Sequence, residues 1–189
     1  MRLILASASP RRAELLRAAG YEFEIAAAGI DESIRDGESP ATYVRRLAAE
    51  KSAAVGADLD LTPIVLGADT TVVVDGEMLG KPADDRDIAR MLRRLSGRRH
   101  DVLTGVSVRR GSEELGLVDT TTVEFSALSD QDIAWYVASG EGHDKAGGYA
   151  IQGRASRFIP RIDGSYSNVV GLPIASVADL LRSLLASGL

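Results

Sequence analysis

Ile64-Val65-Leu66-Gly67-Ala68-Asp69-Thr70-Thr71-Val72-Val73-Val74-Asp75-Gly76-Glu77-Met78-Leu79 is the stretch on which the fold turns. Its length and β-branching predict a strand over residues 64–74. Asp75-Gly76 is a hairpin signal, because such a dipeptide tolerates the backbone of a tight two-residue turn, and it returns the chain toward Leu79-Gly80-Lys81-Pro82. Upstream, Leu3 to Ala6 reads as a short strand feeding Ser7-Ala8-Ser9-Pro10-Arg11-Arg12. Ser9 as N-cap with Pro10 in the first helical position starts a helix that carries Leu15, Leu16 and Ala19 and stops at Gly20. Residues 21–38 are irregular and acidic. Ser39-Pro40 repeats the cap and predicts a second helix to about Val55, with Val44, Leu47, Lys51 and Ala54 on one face. Downstream, Ile88, Met91, Leu92 and Leu95 mark a third helix ended by Gly97. Val102 to Val108 and Leu117 to Phe125 read as two strands joined near Gly111. Ser129 starts a fourth helix ending at Gly140, and Val177, Leu180, Leu181 and Leu184 line the last one. Strands and helices interleave, yet two hairpins are present, so the expected sheet is mixed, flanked by helices, in an α/β protein.

The 189 residues show no internal repeat, low-complexity tract or linker, and a single domain over residues 1–189 is expected. Lys and Arg number 22 against 27 Asp and Glu, a net charge of −5, and only 5% of the chain is aromatic. Such a chain repels polyanions and lacks a base-stacking platform, so no nucleic-acid partner is expected. With no cysteine, disulfides, Cys-ligated metals and a Cys nucleophile are excluded by counting. No apolar run approaches the roughly 18 residues of a membrane span. No membrane partner is expected, and a cytoplasmic location is. Seven of the 19 glycines fall between Gly140 and Gly171, which suggests backbone held close to something.

Two arginines, Arg11 and Arg12, sit at the start of the first helix, where the dipole disfavours cations. Their placement suggests that an anion sits there, on free backbone N–H groups, and phosphate is the natural candidate; a capped helix with solvent-facing arginines is the plainer alternative. Asp69 interrupts an apolar strand, and a buried carboxylate needs a cation, a metal or a cleft, which favours a functional carboxylate over a structural ion pair. Lys51, on the apolar face of its helix, either snorkels along the core edge or serves as countercharge to phosphate or to Asp69. Lys81 is weak evidence on its own. Asp31-Glu32 offers hard-metal ligands or merely a solvated loop. His100 and His143, the only histidines, have no companion pattern for a triad and are given no role. Oxygen ligands and cations without Cys or a His cluster suit Mg²⁺-assisted phosphoryl chemistry better than zinc chemistry. The residues alone lead as far as a protein that binds, or binds and hydrolyses, a phosphorylated small molecule.

Five motifs go further. Leu5 to Leu16, Gly67 to Val72, Leu79 to Pro82, Asp144 to Gly153 and Gly164 to Pro173 resemble, in the same order and over almost the whole chain, the Maf family of nucleoside triphosphate pyrophosphatases. The resemblance implies an inosine-triphosphatase-like fold with an elongated mixed sheet and two lobes around a central cleft. It implies hydrolysis of a nucleoside triphosphate to the monophosphate and pyrophosphate with a divalent cation, magnesium or manganese, and a homodimer. Carried over, Asp69 matches the proton acceptor, with Lys81 and Glu32 beside it in catalysis. Ser7, Arg12 and Lys51 match phosphate-contacting positions, and Asp69 and Glu32 metal-contacting ones. Arg11, Thr70 and Gln152 agree with the subgroup acting on dTTP and UTP, whereas the 7-methyl-GTP subgroup carries Trp, Gln and Glu there. Gln152 offers both a donor and an acceptor to a pyrimidine edge. The one departure is Gly147-Gly148, where Ala or Ser often follows the first glycine; added flexibility is expected. The alternatives are a nucleotide-binding regulator of cell division or septum formation, and a 7-methyl-GTP pyrophosphatase.

Overall fold

The computed structural model describes residues 2–27, 29–57 and 63–186. In chain order it contains β1 (Leu3–Ala6), α1 (Pro10–Ala18), β2 (Glu24–Ile25), α2 (Pro40–Gly56), β3 (Ile64–Val74), β4 (Glu77–Leu79), α3 (Asp85–Leu95), β5 (Arg99–Arg110), β6 (Glu113–Glu124), α4 (Asp130–Val137), 3₁₀ turns at Ala146–Gly148 and Arg154–Phe158, β7 (Arg161–Asp163), α5 (Tyr166–Val170) and α6 (Ile174–Ala186). The strands hydrogen-bond in the order β2-β1-β3-β5-β6-β7, with β4 on β3. β1 runs parallel to both β2 and β3, while β4 is antiparallel to β3 and β7 to β6, so the sheet is mixed as the hairpins require. At the hairpin, Asp75 and Gly76 take φ of 53° and 76°, the left-handed pair that lets two residues reverse a twisted ribbon.

The chain divides into two compact units. One comprises Met1–Asp69, Thr104–Asp119 and Gly171–Leu189; the other comprises Thr70–Leu103 and Thr120–Val170. In the first, Leu3, Leu5, Leu16, Ile64, Leu66, Val106, Val108, Val177, Leu181 and Leu184 form one buried cluster. Each side chain of this size stabilises the fold by about 1.5–3 kcal/mol when fully buried. In the second, the stripe of Ile88, Met91, Leu92 and Leu95 is buried as its spacing predicts. Ser39, Asp84 and Ser129 each accept a backbone N–H at the start of α2, α3 and α4, which fixes where these helices begin; for α2 and α4 that is the start expected from the sequence. Ser9 precedes α1 without a side-chain cap bond; Pro10 alone sets that start.

Helix α2 lies unusually close to the strands beneath it. A Cβ on Gly67 of β3 would sit 2.2 Å from the Ala48 carbonyl oxygen, and one on Gly105 of β5 would sit 2.1 Å from that of Val44. The helix therefore touches the sheet along Val44, Ala48 and Ser52, in steps of four. Of the face expected from the sequence, Val44, Leu47 and Lys51 are buried, but Ala54 is exposed, because this contact line turns it outward. Gly147 and Gly148 do not loosen the chain either: both hold positive φ, 71° and 69°, in a turn pinned by a 3.1 Å bond from the Gly147 N–H to the Gly80 carbonyl.

Candidate active site

Within the first unit, the ends of β1 and α1, the loop after β2, the middle of α2 and the strand β3 bring five of the candidate residues together. Asp69 lies on β3 two residues past Gly67, and Lys51 lies three past Ala48, so the close approach at Gly67 sets their separation. The Lys51 ammonium nitrogen is 2.7 Å from Asp69 Oδ1 and 2.7 Å from Glu32 Oε1. The Lys51 and Asp69 side chains are only 9% and 12% exposed, whereas that of Glu32 is 51% exposed. Two carboxylates from distant parts of the chain thus converge on one buried cation. Of the two readings of Lys51, the geometry selects the countercharge to Asp69.

Arg12 is buried beside this group. Its Nε donates to the Gly171 carbonyl at 2.8 Å and its Nη1 to Ser7 Oγ at 3.0 Å; Ser7 Oγ also accepts the Ser9 N–H at 3.3 Å. Burial lowers the basicity of Arg12, opposed by the charges of Asp69 and Glu32 and reinforced by neighbouring Arg11. A guanidinium remains protonated regardless, so the cluster holds fixed cations and two carboxylates within one another's electrostatic reach. Asp31 does not join Glu32 there. Its Oδ1 accepts the Ser33 N–H at 2.9 Å, a local turn that lowers its pKa. Tyr43, pushed up to about 12 by burial and by the charges of Asp69 and Glu32, keeps its proton and donates it to the Glu32 carbonyl at 3.0 Å. Neither Tyr43 nor Gly67 stands out as a site residue in the sequence, although a glycine inside a strand is itself a signal of close backbone approach.

Of the remaining candidates, Thr70, Lys81 and Gln152 belong to the other unit and Arg11 to the first. Thr70 follows Asp69 directly and is half-buried; Lys81 follows β4 and Gln152 precedes the second 3₁₀ turn, both exposed. Arg11 is half-buried in the first turn of α1. His100, given no role above, is buried with Nε2 2.8 Å from Tyr149 Oη and edge-on to Phe125; burial pushes its pKa down to about 4. It fills an aromatic core as a neutral ring.

The residues fit a divalent cation. Two carboxylate oxygens already converge on one positive charge, and a hard cation such as Mg²⁺ is commonly held by one or two carboxylates, with phosphate and water oxygens completing its shell. Glu32 and Asp69 are the carboxylates that would hold it.

A mixed-sheet α/β protein with an acid and base cluster at the turn after its first strand is the class that fold and site define. Within that class, the chain belongs to the Maf-like protein family, whose model matches residues 2–184. A protein of Anaeromyxobacter dehalogenans (strain 2CP-1 / ATCC BAA-258) named dTTP/UTP pyrophosphatase is 54% identical, over 96% of this chain and 93% of that protein. A protein of the same name from Symbiobacterium thermophilum is also 54% identical, over 95% and 92%. Among solved structures, the Staphylococcus aureus Ham1 protein covers 100% of both chains with a TM-score of 0.54 at 15% identity, a likeness of fold. The expected mixed α/β fold is found. Among the described residues, no helix is long and apolar enough to cross a membrane.

Proposed function

We propose that this protein hydrolyses dTTP and UTP to the nucleoside monophosphate and pyrophosphate. The observation that carries the reading is the Lys51 ammonium held 2.7 Å from both Asp69 and Glu32, in a chain about half identical to two proteins named for that activity. Asp69 accepts a proton from water, the water oxygen bonds to the α-phosphorus, and the bond from that phosphorus to the bridging oxygen breaks, releasing pyrophosphate. Lys51 aims the Asp69 carboxylate through the 2.7 Å contact. Arg12, oriented by Ser7 and the Gly171 carbonyl, offers fixed positive charge to the phosphates without having to reorganise as charge develops, with Arg11 and Lys81 as further cations. A divalent cation held by Glu32 and Asp69 would supply charge neutralisation for the phosphate oxygens. Thr70 and Gln152 select the pyrimidine, Gln152 through an amide that both donates and accepts. The protein acts as a homodimer in the cytoplasm, a reading supported by the family resemblance.

The test is a panel of dTTP, UTP, dCTP, GTP and 7-methyl-GTP with and without Mg²⁺, read by pyrophosphate release. The expected result is turnover of dTTP and UTP only with metal, and a loss of about 10³-fold or more in Asp69→Asn. Preference for 7-methyl-GTP, or an Asp69→Asn variant at the parental rate, overturns the assignment.

A further inference from the structure

Glu32 lies in the segment of residues 26–39, which has no helix or strand among its described residues and is mostly exposed. A side chain there reaches one fixed point beside Lys51 only if something else holds its backbone. That something is one edge of α2. Tyr43 Oη donates to the Glu32 carbonyl at 3.0 Å. Arg46 Nη2 donates to the carbonyl of the next residue, Ser33, at 3.0 Å. The same guanidinium grips Glu38 as a two-pronged fork, Nε to Oε1 at 2.6 Å and Nη2 to Oε2 at 2.7 Å. Glu38 Oε2 in turn accepts the Arg35 N–H at 3.1 Å. Glu50 completes the set, accepting from Arg46 Nη1 at 3.2 Å and from Arg35 Nη2 at 2.8 Å. Although the loop is exposed, the fork at its centre is not: the Arg46 and Glu38 side chains are 11% and 5% exposed. Arg46 holds the Glu38 carboxyl down at about 2, so the fork stays closed throughout the neutral range.

We infer that Arg46, with Tyr43 as a second arm, is a positioning residue that fixes Glu32 against Lys51 and Asp69, and that the forked pair with Glu38 exists to give the loop one geometry. The chemistry favours this over a generic ion pair. A surface salt bridge adds little to stability, whereas a planar guanidinium bound to a carboxylate and a carbonyl at once fixes directions that an ammonium cannot. The inference rests on the reading of Glu32 as a working residue of the site.

The experiment pairs dTTP kinetics in Mg²⁺ with amide hydrogen exchange across residues 31–38. Arg46→Gln is expected to lower kcat at least about tenfold with KM little changed, since displacements near 1 Å cost up to about a hundredfold, and to speed exchange at Ser33 and Arg35. Arg46→Lys behaves the same way. Combined with Glu32→Gln, Arg46→Gln causes no further loss, because it acts through a group already removed. Arg90→Gln, which breaks a surface pair with Asp87 in the other unit, changes neither readout. Multiplying losses in the double variant, or unchanged exchange in Arg46→Gln, overturns the proposal. Should Arg46→Gln fail to fold, Tyr43→Phe, which removes a single hydroxyl, is judged by the same two criteria. If the unaltered protein turns over no dTTP, the functional reading falls, and exchange alone decides whether the clamp exists.

Discussion

Gly67→Ala tests the geometry on which the site depends. The added Cβ would stand 2.2 Å from the Ala48 carbonyl oxygen and 2.8 Å from the Ser52 nitrogen, both backbone atoms that cannot rotate away. To restore ordinary contact, α2 must withdraw by roughly 1 Å. Alanine meets no backbone penalty at this strand position and gains a few tenths to about 1 kcal/mol by restricting the unfolded chain; overpacking costs about 1–3 kcal/mol, so the net loss is about 1–2 kcal/mol. The same withdrawal carries Lys51, one turn further along the helix, off its 2.7 Å contact with Asp69 to a distance that is no longer a hydrogen bond. Turnover falls up to about a hundredfold. Urea unfolding measures the first effect as a lower midpoint at unchanged slope, and dTTP hydrolysis measures the second. Gly56→Ala, at the end of the same helix and only 3.5 Å from the side-chain carbon Arg109 Cδ, is the matched control and stabilises by up to about 1 kcal/mol through helix propensity. A Gly67→Ala protein with parental midpoint and turnover would show that the helix approach does not set the site.

Removing the shared cation is read in stability. Lys51→Met leaves Asp69 and Glu32 facing each other, and breaking the buried Lys51–Asp69 contact destabilises by about 3 kcal/mol. Urea melts check this, and an unchanged midpoint refutes the shared-cation account. His100 gives a pH dependence. Its folded pKa is depressed to about 4 from an ordinary 6.5, so between those values the unfolded chain binds more protons. The stability is complete above about pH 6.5 and is lost as pH falls toward 4, by up to about 3 kcal/mol. His100→Phe flattens this part of the stability profile; an unchanged slope would place the acid sensitivity elsewhere.

What the sequence made legible was whatever local chemistry encodes. Ser39-Pro40 and Ser129 placed helix starts, Asp75-Gly76 placed the hairpin, and the spacing of Ile88, Met91, Leu92 and Leu95 placed a buried face. β2 and β7, of two and three residues, carry no periodicity of their own and exist only because β1 and β6 offer them partners. The ends of β5 and β6 ran past the apolar segments that marked them, since a two-stranded ribbon continues through polar residues such as Arg109 and Glu113. Five candidate residues lie together, yet the partner of Lys51 could not be read from periodicity. It depends on how near α2 comes to β3, and that is decided by Gly67, eighteen residues before Asp85 begins the next helix and far in sequence from Ala48. The clamp on Glu32 was equally hidden, because residues 35, 38, 46 and 50 form a network only once the loop has folded back along the helix.

The two units are each assembled from separated stretches, and the first is not complete until Gly171–Leu189 is in place. Leu3 and Leu5 of β1 share their core with Val177, Leu181 and Leu184 of the last helix. A ribosome making about 5–20 residues per second therefore releases the N-terminal strand roughly ten seconds or more before its final packing partner exists. During synthesis that strand waits for part of its cover, and no fragment shorter than residues 1–189 holds the first unit whole, whereas residues 70–170 contain all of the second. Dissection is therefore open to the second unit alone, and the first is assembled only when its last helix arrives.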